Sequence, residues 1–367
     1  MLEIGSTTII MKIAIVGSGG IAHTHVEEIK KLGLEVKTVI SRDQKQAQEF
    51  AERYGIETYT GDFAAALAED IGSVHVCTPP ALHHDMVRQI LAAGKHVVCE
   101  KPLCLTSAEA MELALLAQEK QVTAAIDFNV RYYEACRNMR KMAVGGELGR
   151  LCLIHGSYLQ EFHALPEAYG WRYQEKTGGK MRAVTEIGSH YIDLVRFLTG
   201  EEIVEVRADF GVFTPERYEK DGIMYEEHLE GAEKITVRSE DAALVSFRLA
   251  GGAIGNVVLS EVSHGRSNYL NLELTGTKQS VWWNSEDCNR LSSSQKGQGI
   301  HSGINAFGGG FADTIGRLFA EVYGAITSGE THTYPDFTDG YRNLAVCEAV
   351  YKSSQDNSAW TKVQLAI

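Results

Sequence analysis

The sequence is short of basic residues: 35 Lys and Arg stand against 48 Asp and Glu in 367 residues, a net charge of −13. A chain this acidic lacks the positive footprint of a nucleic-acid or anionic-membrane binder, which leaves a small-molecule partner. Long hydrophobic runs are also missing. No stretch approaches the roughly 20 apolar residues that cross a bilayer, and Met1 to Ile10 lack the positive start and apolar core of a signal peptide. Proline is scarce at 6 residues while glycine reaches 36, a balance suited to regular elements joined by short turns. The seven cysteines include no Cys-x-x-Cys pair, and most lie in apolar runs such as Val76-Cys77 and Val98-Cys99. They read as reduced, buried thiols of a cytoplasmic protein, not as a disulfide frame or a zinc site.

What is present is an alternation. Met11-Lys12 reads as an alternative start, with the leading decapeptide outside the fold. Apolar, β-branched runs predict strands at Lys12 to Val16, Glu35 to Ile40, Val74 to Cys77, His96 to Cys99 and Val122 to Ile126. Helical patterns lie between them, and Thr106 with Glu109 forms a capping box for the last. Strand, helix, strand in repetition predicts an α/β domain with a doubly wound parallel sheet. After Arg131 the pattern changes to longer strands between Leu151 and Trp283, with Gly251-Gly252 as a hairpin turn and helices near Thr185 to Leu198, Phe311 to Ile326 and Gly340 to Ser353. These predict an α+β domain with one broad, mostly antiparallel open sheet. The division expected is 11–131 and 132–367, and Ser292 to Gly310 reads as a flexible loop.

Gly17-Ser18-Gly19-Gly20-Ile21-Ala22 follows the first strand and opens a helix, the context that gives a Gly-x-Gly-x-x-Ala pattern meaning. Gly17 permits the tight turn, and Gly19 lets a pyrophosphate approach the backbone. The amides of Gly20 and Ile21 then face it from a helix start, where the dipole favours negative charge. A NAD site places an acid at the end of the second strand; here Ser41-Arg42 stands there, with Asp43 late. A hydroxyl and a guanidinium favour a 2′-phosphate, hence NADP over NAD, although Arg42 also reads as a solvated loop residue.

Glu100-Lys101-Pro102 follows the fourth expected strand, and Pro102 biases Lys101 toward an extended conformation. A lysine there donates to a carbonyl or hydroxyl oxygen, or is a surface residue before a turn. Glu186, His190 and Asp193 fall one helical turn apart on a single stripe. They read equally as an acid/base group, a metal site or a structural network.

The glycine loop, Cys77-Thr78-Pro79-Pro80 with His83, Glu100-Lys101-Pro102 and Gly188-x-His190-x-x-Asp193 occur in the order that resembles the Gfo/Idh/MocA oxidoreductases, from Met11 to about Lys362. The resemblance implies a Rossmann domain binding NAD(P), a second domain for substrate and oligomerisation, and a dehydrogenase or reductase acting on a secondary alcohol of a sugar, inositol or related polyol. It implies that Lys101 polarises the substrate oxygen and that His190 is the acid/base, with Thr78, Pro79, His83 and Glu100 along the cofactor. Glu186 stands where the family usually has Asp. Arg131, Tyr158, Trp171, Arg172 and Asp193 are the expected pocket residues, a homo-oligomer (dimer or tetramer) is expected, and no metal is required. Two other readings stand beside this one: a cofactor-binding regulator without turnover, and an NAD-dependent glycosidase that releases free sugar without net NADH.

Overall fold

The computed structural model describes residues 11–165, 167–305, 310–329 and 333–367; the leading decapeptide lies outside them. The first part alternates β1 (Lys12–Val16), α1 (Gly20–Lys31), β2 (Glu35–Ile40), α2 (Gln44–Tyr54), β3 (Thr58–Thr60), β4 (Ile71–Val76), α3 (His83–Ala92), β5 (His96–Cys99), α4 (Ser107–Lys120) and β6 (Ala124–Ile126). All pairings in this sheet are parallel, in the order β3-β2-β1-β4-β5-β6. Ile13, Ala14 and Ile15 of β1 are fully buried, as a strand covered on both faces must be. The order reverses between β1 and β4, the crevice where such sheets take ligands. β3 is short, exposed and without an aliphatic residue, so it gave no strand signal, and the strand before Glu100 is the fifth, not the fourth.

The second part runs α5 (Glu134–Val144), β7 (Leu151–Leu159), β8 (Glu167–Tyr169), α6 (Glu175–Gly178), a π-helical turn at Val184–Gly188 and α7 (Ser189–Thr199). β9 (Ile203–Gly211), β10 (Glu216–Lys220), β11 (Ile223–Tyr225), β12 (Glu233–Thr236), β13 (Ala242–Leu249), β14 (Ile254–Ser260), β15 (Tyr269–Gly276), β16 (Gln279–Asn284), β17 (Arg290–Gln295) and β18 (His301–Ile304) follow. Two sheets form where one was expected. A four-stranded antiparallel sheet, β12-β10-β11-β8, accompanies a nine-stranded one whose single parallel pair is β7 with β14. The expected loop from Ser292 contains β17 and β18 instead. Their serine-rich residues carry no apolar alternation, and pairing at the sheet edge comes from the backbone and from the Ser292–Ser302 hydroxyl contact at 2.7 Å.

The chain ends with α8 (Phe311–Ser328), α9 (Phe337–Gln355) and β19 (Thr361–Lys362), the last paired with β9. Two compact units result: the described residues of Met1–Tyr132 and Gly309–Tyr341, and those of Tyr133–Gly308 and Arg342–Ile367. The later segment belongs with the first because Ile315, Leu318, Phe319 and Val322 form one apolar stripe of α8 that packs with Val26 and Ile29 of α1.

The core of the second unit holds a buried ionic group. Arg182 pairs with Asp241 and lies 3.2 Å from Glu261, all three fully buried or nearly so. Glu240 Oε1 accepts the backbone N–H groups of Arg182 and Val184 at 3.0 and 2.8 Å. Burial pushes the Glu240 carboxyl up to about 7, against those hydrogen bonds.

Two outcomes follow for stability. A methyl group at Gly17, where φ is +104°, would sit 2.6 Å from the Cys77 carbonyl oxygen; Gly17→Ala costs about 1–3 kcal/mol in urea unfolding without any nucleotide. The raised folded-state pKa of Glu240 means its contribution is full below the unfolded carboxyl range and lost as pH rises through 7. In Glu240→Gln the fall in unfolding free energy between pH 5 and pH 8 is therefore smaller, by about 1–3 kcal/mol, read from urea midpoints at the two pH values.

Candidate active site

In the first unit the residue after each of five strands, β1, β2, β4, β5 and β6, donates its N–H to the last carbonyl of the neighbouring strand. Ser41 reaches Thr60 (3.0 Å), Gly17 reaches Ile40 (2.8 Å), Cys77 reaches Val16 (2.8 Å), Glu100 reaches Val76 (3.0 Å) and Asp127 reaches Cys99 (2.9 Å). Ser41, Gly17, Cys77, Glu100 and Asp127 thus form a row along the carboxyl edge of the sheet. Gly19 is the N-cap of α1, and no side chain caps this helix or places an acid in its first turn. A Cβ built on Gly19 or Gly20 meets nothing within 4 Å. Free helix-start donors beside open space suit a pyrophosphate, and the residues present fit a dinucleotide.

The end of β2 is tied to this turn. Ser18 Oγ lies 2.9 Å from Ser41 Oγ and donates to Gln46 Oε1 at 2.7 Å. Asp43 accepts the Gln46 N–H at 3.0 Å as the N-cap of α2, so its carboxylate serves the helix. Arg42 beside it is exposed. His83 ties two of the expected cofactor-side segments together. Its ring nitrogens lie 2.7 Å from the Thr78 carbonyl and 3.0 Å from the Pro102 carbonyl, joining the segments after β4 and β5. Pro79 is the extended residue that starts the short 3-10 turn Pro80–Leu82 ahead of α3.

Beneath Glu100 lies a cluster that residue spacing does not reveal. His25 Nε2 is 3.1 Å from Glu100 Oε1 and 3.4 Å from Asp127 Oδ2. Burial opposes the Glu100 charge, yet His25 holds its carboxyl below the usual range. Asp127 goes the other way, raised by burial and by its neighbour Glu100. Glu100 Oε2 accepts the N–H of Lys101 at 3.2 Å. The only signals in the sequence were polar residues interrupting apolar runs, His75 within β4 and Asp127 directly after Ala-Ala-Ile.

In the second unit, His190 and Asp193 are buried on α7, while Glu186 lies in the π-helical turn before it. Glu186 Oε2 is 2.9 Å from Arg172 Nε and 3.7 Å from His163 Nε2. The Arg172 guanidinium also lies 4.8 Å from the Trp171 ring centre, so one expected pocket residue, Arg172, meets the Glu186 carboxylate and the other, Trp171, stacks on that arginine. The Tyr158 ring is 6.4 Å from that of His190, with its hydroxyl donating to Asn268 at 2.6 Å. Arg131 belongs to the first unit, where it pairs with Asp339 at 3.1 Å. His163 was not expected; its Nδ1 is 2.6 Å from the Tyr173 hydroxyl and its Nε2 is 3.5 Å from Glu261. Burial lowers its pKa against the pull of Glu186. Among the described residues the fold assembles two trios of ligand-type side chains, His25-Glu100-Asp127 and His163-Glu186-Glu261. In the second trio, Arg172 and Arg182 already face the carboxylates.

A family model described as an oxidoreductase family with an NAD-binding Rossmann fold matches residues 11–128, and the GFO/IDH/MocA C-terminal domain matches residues 136–282. Levoglucosan dehydrogenase of Pseudarthrobacter phenanthrenivorans is 30% identical over 352 residues, 89% of each chain. Inositol 2-dehydrogenase of Rhizobium meliloti is 28% identical over 203 residues, 55% of this chain and 59% of its own. A solved structure of levoglucosan dehydrogenase in complex with NADH and levoglucosan matches with a TM-score of 0.88 at 27% identity, covering 97% of this chain and 100% of that one. The chain belongs to the Gfo/Idh/MocA family of oxidoreductases, and its first unit is an NAD-binding Rossmann fold.

Proposed function

We propose that the protein is an NAD(P)-dependent dehydrogenase of a secondary alcohol on a sugar, inositol or related polyol. The observation that carries this reading is the strand-end row, which sets an uncapped helix start at Gly19-Gly20 and the Glu100-Lys101 peptide on one edge of the sheet. The relatives' names and the NADH complex of the levoglucosan enzyme support it.

Gly17, Gly19, Gly20 and Ile21 hold the pyrophosphate. Ser41 and Arg42 face the adenosine ribose, and with Asp43 occupied as a helix cap they favour a 2′-phosphate. When bound, the nicotinamide supplies the hydride acceptor or donor. Lys101 donates a hydrogen bond to the substrate oxygen as negative charge develops there. His190 takes the hydroxyl proton in oxidation and returns it in reduction. Glu186, held by Arg172, orders the approach to the histidine, and Trp171 with Arg172 lines the sugar pocket.

A homo-oligomer, dimer or tetramer, is supported by the outward-facing cross-strand pairs Leu153–Ile254 and Leu244–Val258 of β7, β13 and β14, which are 38–57% exposed. Among the described residues no helix is long and apolar enough to cross a membrane. The seven cysteines, none of them in a disulfide and five of them buried, support a cytoplasmic site.

The test is reduced-nucleotide absorbance with NAD and NADP separately against sugars, inositols and glycosides. Net reduced cofactor is expected with a polyol; free sugar without it from a glycoside would replace the proposal by the glycosidase reading. Lys101→Met and His190→Ala are each expected to lower turnover by about 100-fold or more while still binding nucleotide in a fluorescence titration, and unchanged turnover would remove both roles. Arg42→Ala is expected to weaken NADP about 10-fold and NAD little; equal losses would end the phosphate assignment.

A further inference from the structure

We propose that His25 is a positioning residue whose two ring nitrogens bridge Glu100 and Asp127 to His75, and so fix the peptide from which Lys101 emerges. Lys101 enters with the role given it above, on which this proposal rests.

His25 lies on α1 and is fully buried, as is His75 on β4. Below the two carboxylates the hydrogen bonds continue without a break. His25 Nδ1 is 2.9 Å from His75 Nδ1, and His75 Nε2 is 2.7 Å from the Tyr323 hydroxyl. Tyr323 in turn donates to Ser73 Oγ at 3.2 Å. The edge-on ring of Phe319 closes the site against both imidazoles.

His25 Nε2 faces two carboxylates and donates to them. Its Nδ1 lies against His75 Nδ1 and, at 3.4 Å, the Cys77 sulfur. Two buried carboxyls around one imidazole favour a cation there, and in the proposed state Nδ1 donates to His75, so that both nitrogens carry hydrogen and the ring is an imidazolium. Burial opposes that charge, but Cys77, Asp127 and Glu100 around the ring raise its pKa well above the ordinary value. His75 is lowered, by burial and then by the charge of His25.

The groups facing His25 are His75 on β4, Cys77 after it, Glu100 after β5, Asp127 after β6 and Phe319 from α8, with Lys101 acting on Glu100 and Tyr323 on His75. One cation thus stands between two carboxyls in a buried pocket. With His25 charged, Glu100 stays ionised and keeps its bond to the Lys101 N–H. Asp127, whose Oδ1 is buried without a hydrogen-bond partner, is the carboxyl that takes up a proton first. Without that charge, both carboxyls would be driven toward their neutral forms, and the anchor of the Lys101 peptide would weaken.

Nitrogen NMR of the full chain labelled at histidine reads the central point without any activity. The ring signals lost in His25→Gln are expected to show a doubly protonated imidazole at pH 8; a neutral tautomer at pH 7 overturns the proposal. In turnover with the polyol found above, His25→Leu is expected to lower kcat about 10-fold or more, with KM for nucleotide changed less than about 3-fold. His25→Gln keeps one donor toward Glu100 and is expected to recover to within about 3-fold of wild type at high pH. In both variants the acid limb of the kcat profile moves to higher pH. Wild-type kcat and profile in His25→Leu would overturn the positioning role, and should that variant fail to fold, an unshifted acid limb in His25→Gln does the same. Absence of turnover by the wild type overturns the dehydrogenase reading alone, while the ring nitrogens still decide the state of His25.

Discussion

Five main-chain hydrogen bonds set the working edge of the first unit. Each carries a strand one residue past its formal end and locks that residue to its neighbour. Adjacent strands in a sheet lie about 4.8 Å apart, so the row from Ser41 to Asp127 leaves little freedom to any member. The Cys77 carbonyl stands so close to Gly17 that no larger residue fits. The same spacing brings Glu100 and Asp127 beside each other under a layer that excludes water. Two carboxyls in such a place need a cation or a proton between them, and α1, opened by the glycine turn, presents His25 one turn further on. The turn that readies a helix for phosphate also delivers the imidazole that manages the acids.

The second unit solves a related difficulty with arginine. Tyr173 lies 4.4 Å from the Arg182 guanidinium and 4.9 Å from that of Arg217, at ring-stacking distance from both. Arg217 donates to the His163 carbonyl at 2.5 Å. This group supports the Trp171-Arg172 segment and the π-helical turn that carries Glu186. A π turn widens the helix by one residue, so α-helical spacing across it does not describe where Glu186 points. The side chain lies against Arg172 and His163, and the extra methylene relative to Asp lengthens that reach.

What the sequence made legible was local. β2 and β5 have the predicted bounds, the Thr106-Glu109 capping box is present, and Gly252 turns the β13–β14 hairpin with φ of +91°. Each depends on residues within a few positions of one another. The motif residues were legible for the same reason, as short strings with a fixed meaning in a strand-turn-helix context. His25, His75, Asp127 and Tyr323 come from four separate elements, and nothing in their spacing announces that they touch. His83 shows the opposite limit: its position in a motif was visible, but its two carbonyl neighbours depend on how two loops meet. The polar strands β17 and β18 carried no side-chain alternation from which a sheet edge is read.

The return of α8 to the first unit has a consequence for synthesis. A chain emerging from the ribosome exposes β1 to β6 long before Ile315, Leu318, Phe319 and Val322 exist to cover α1. At roughly 5–20 residues per second that interval lasts on the order of ten seconds or more. Throughout it, the apolar flank of α1 has no permanent cover, and the ring of Tyr323 is missing from the histidine pair. The unit encoded first is thus not complete until Tyr341 has been made, and the cell must shelter a half-closed nucleotide fold while the sheets of the second unit are still being made.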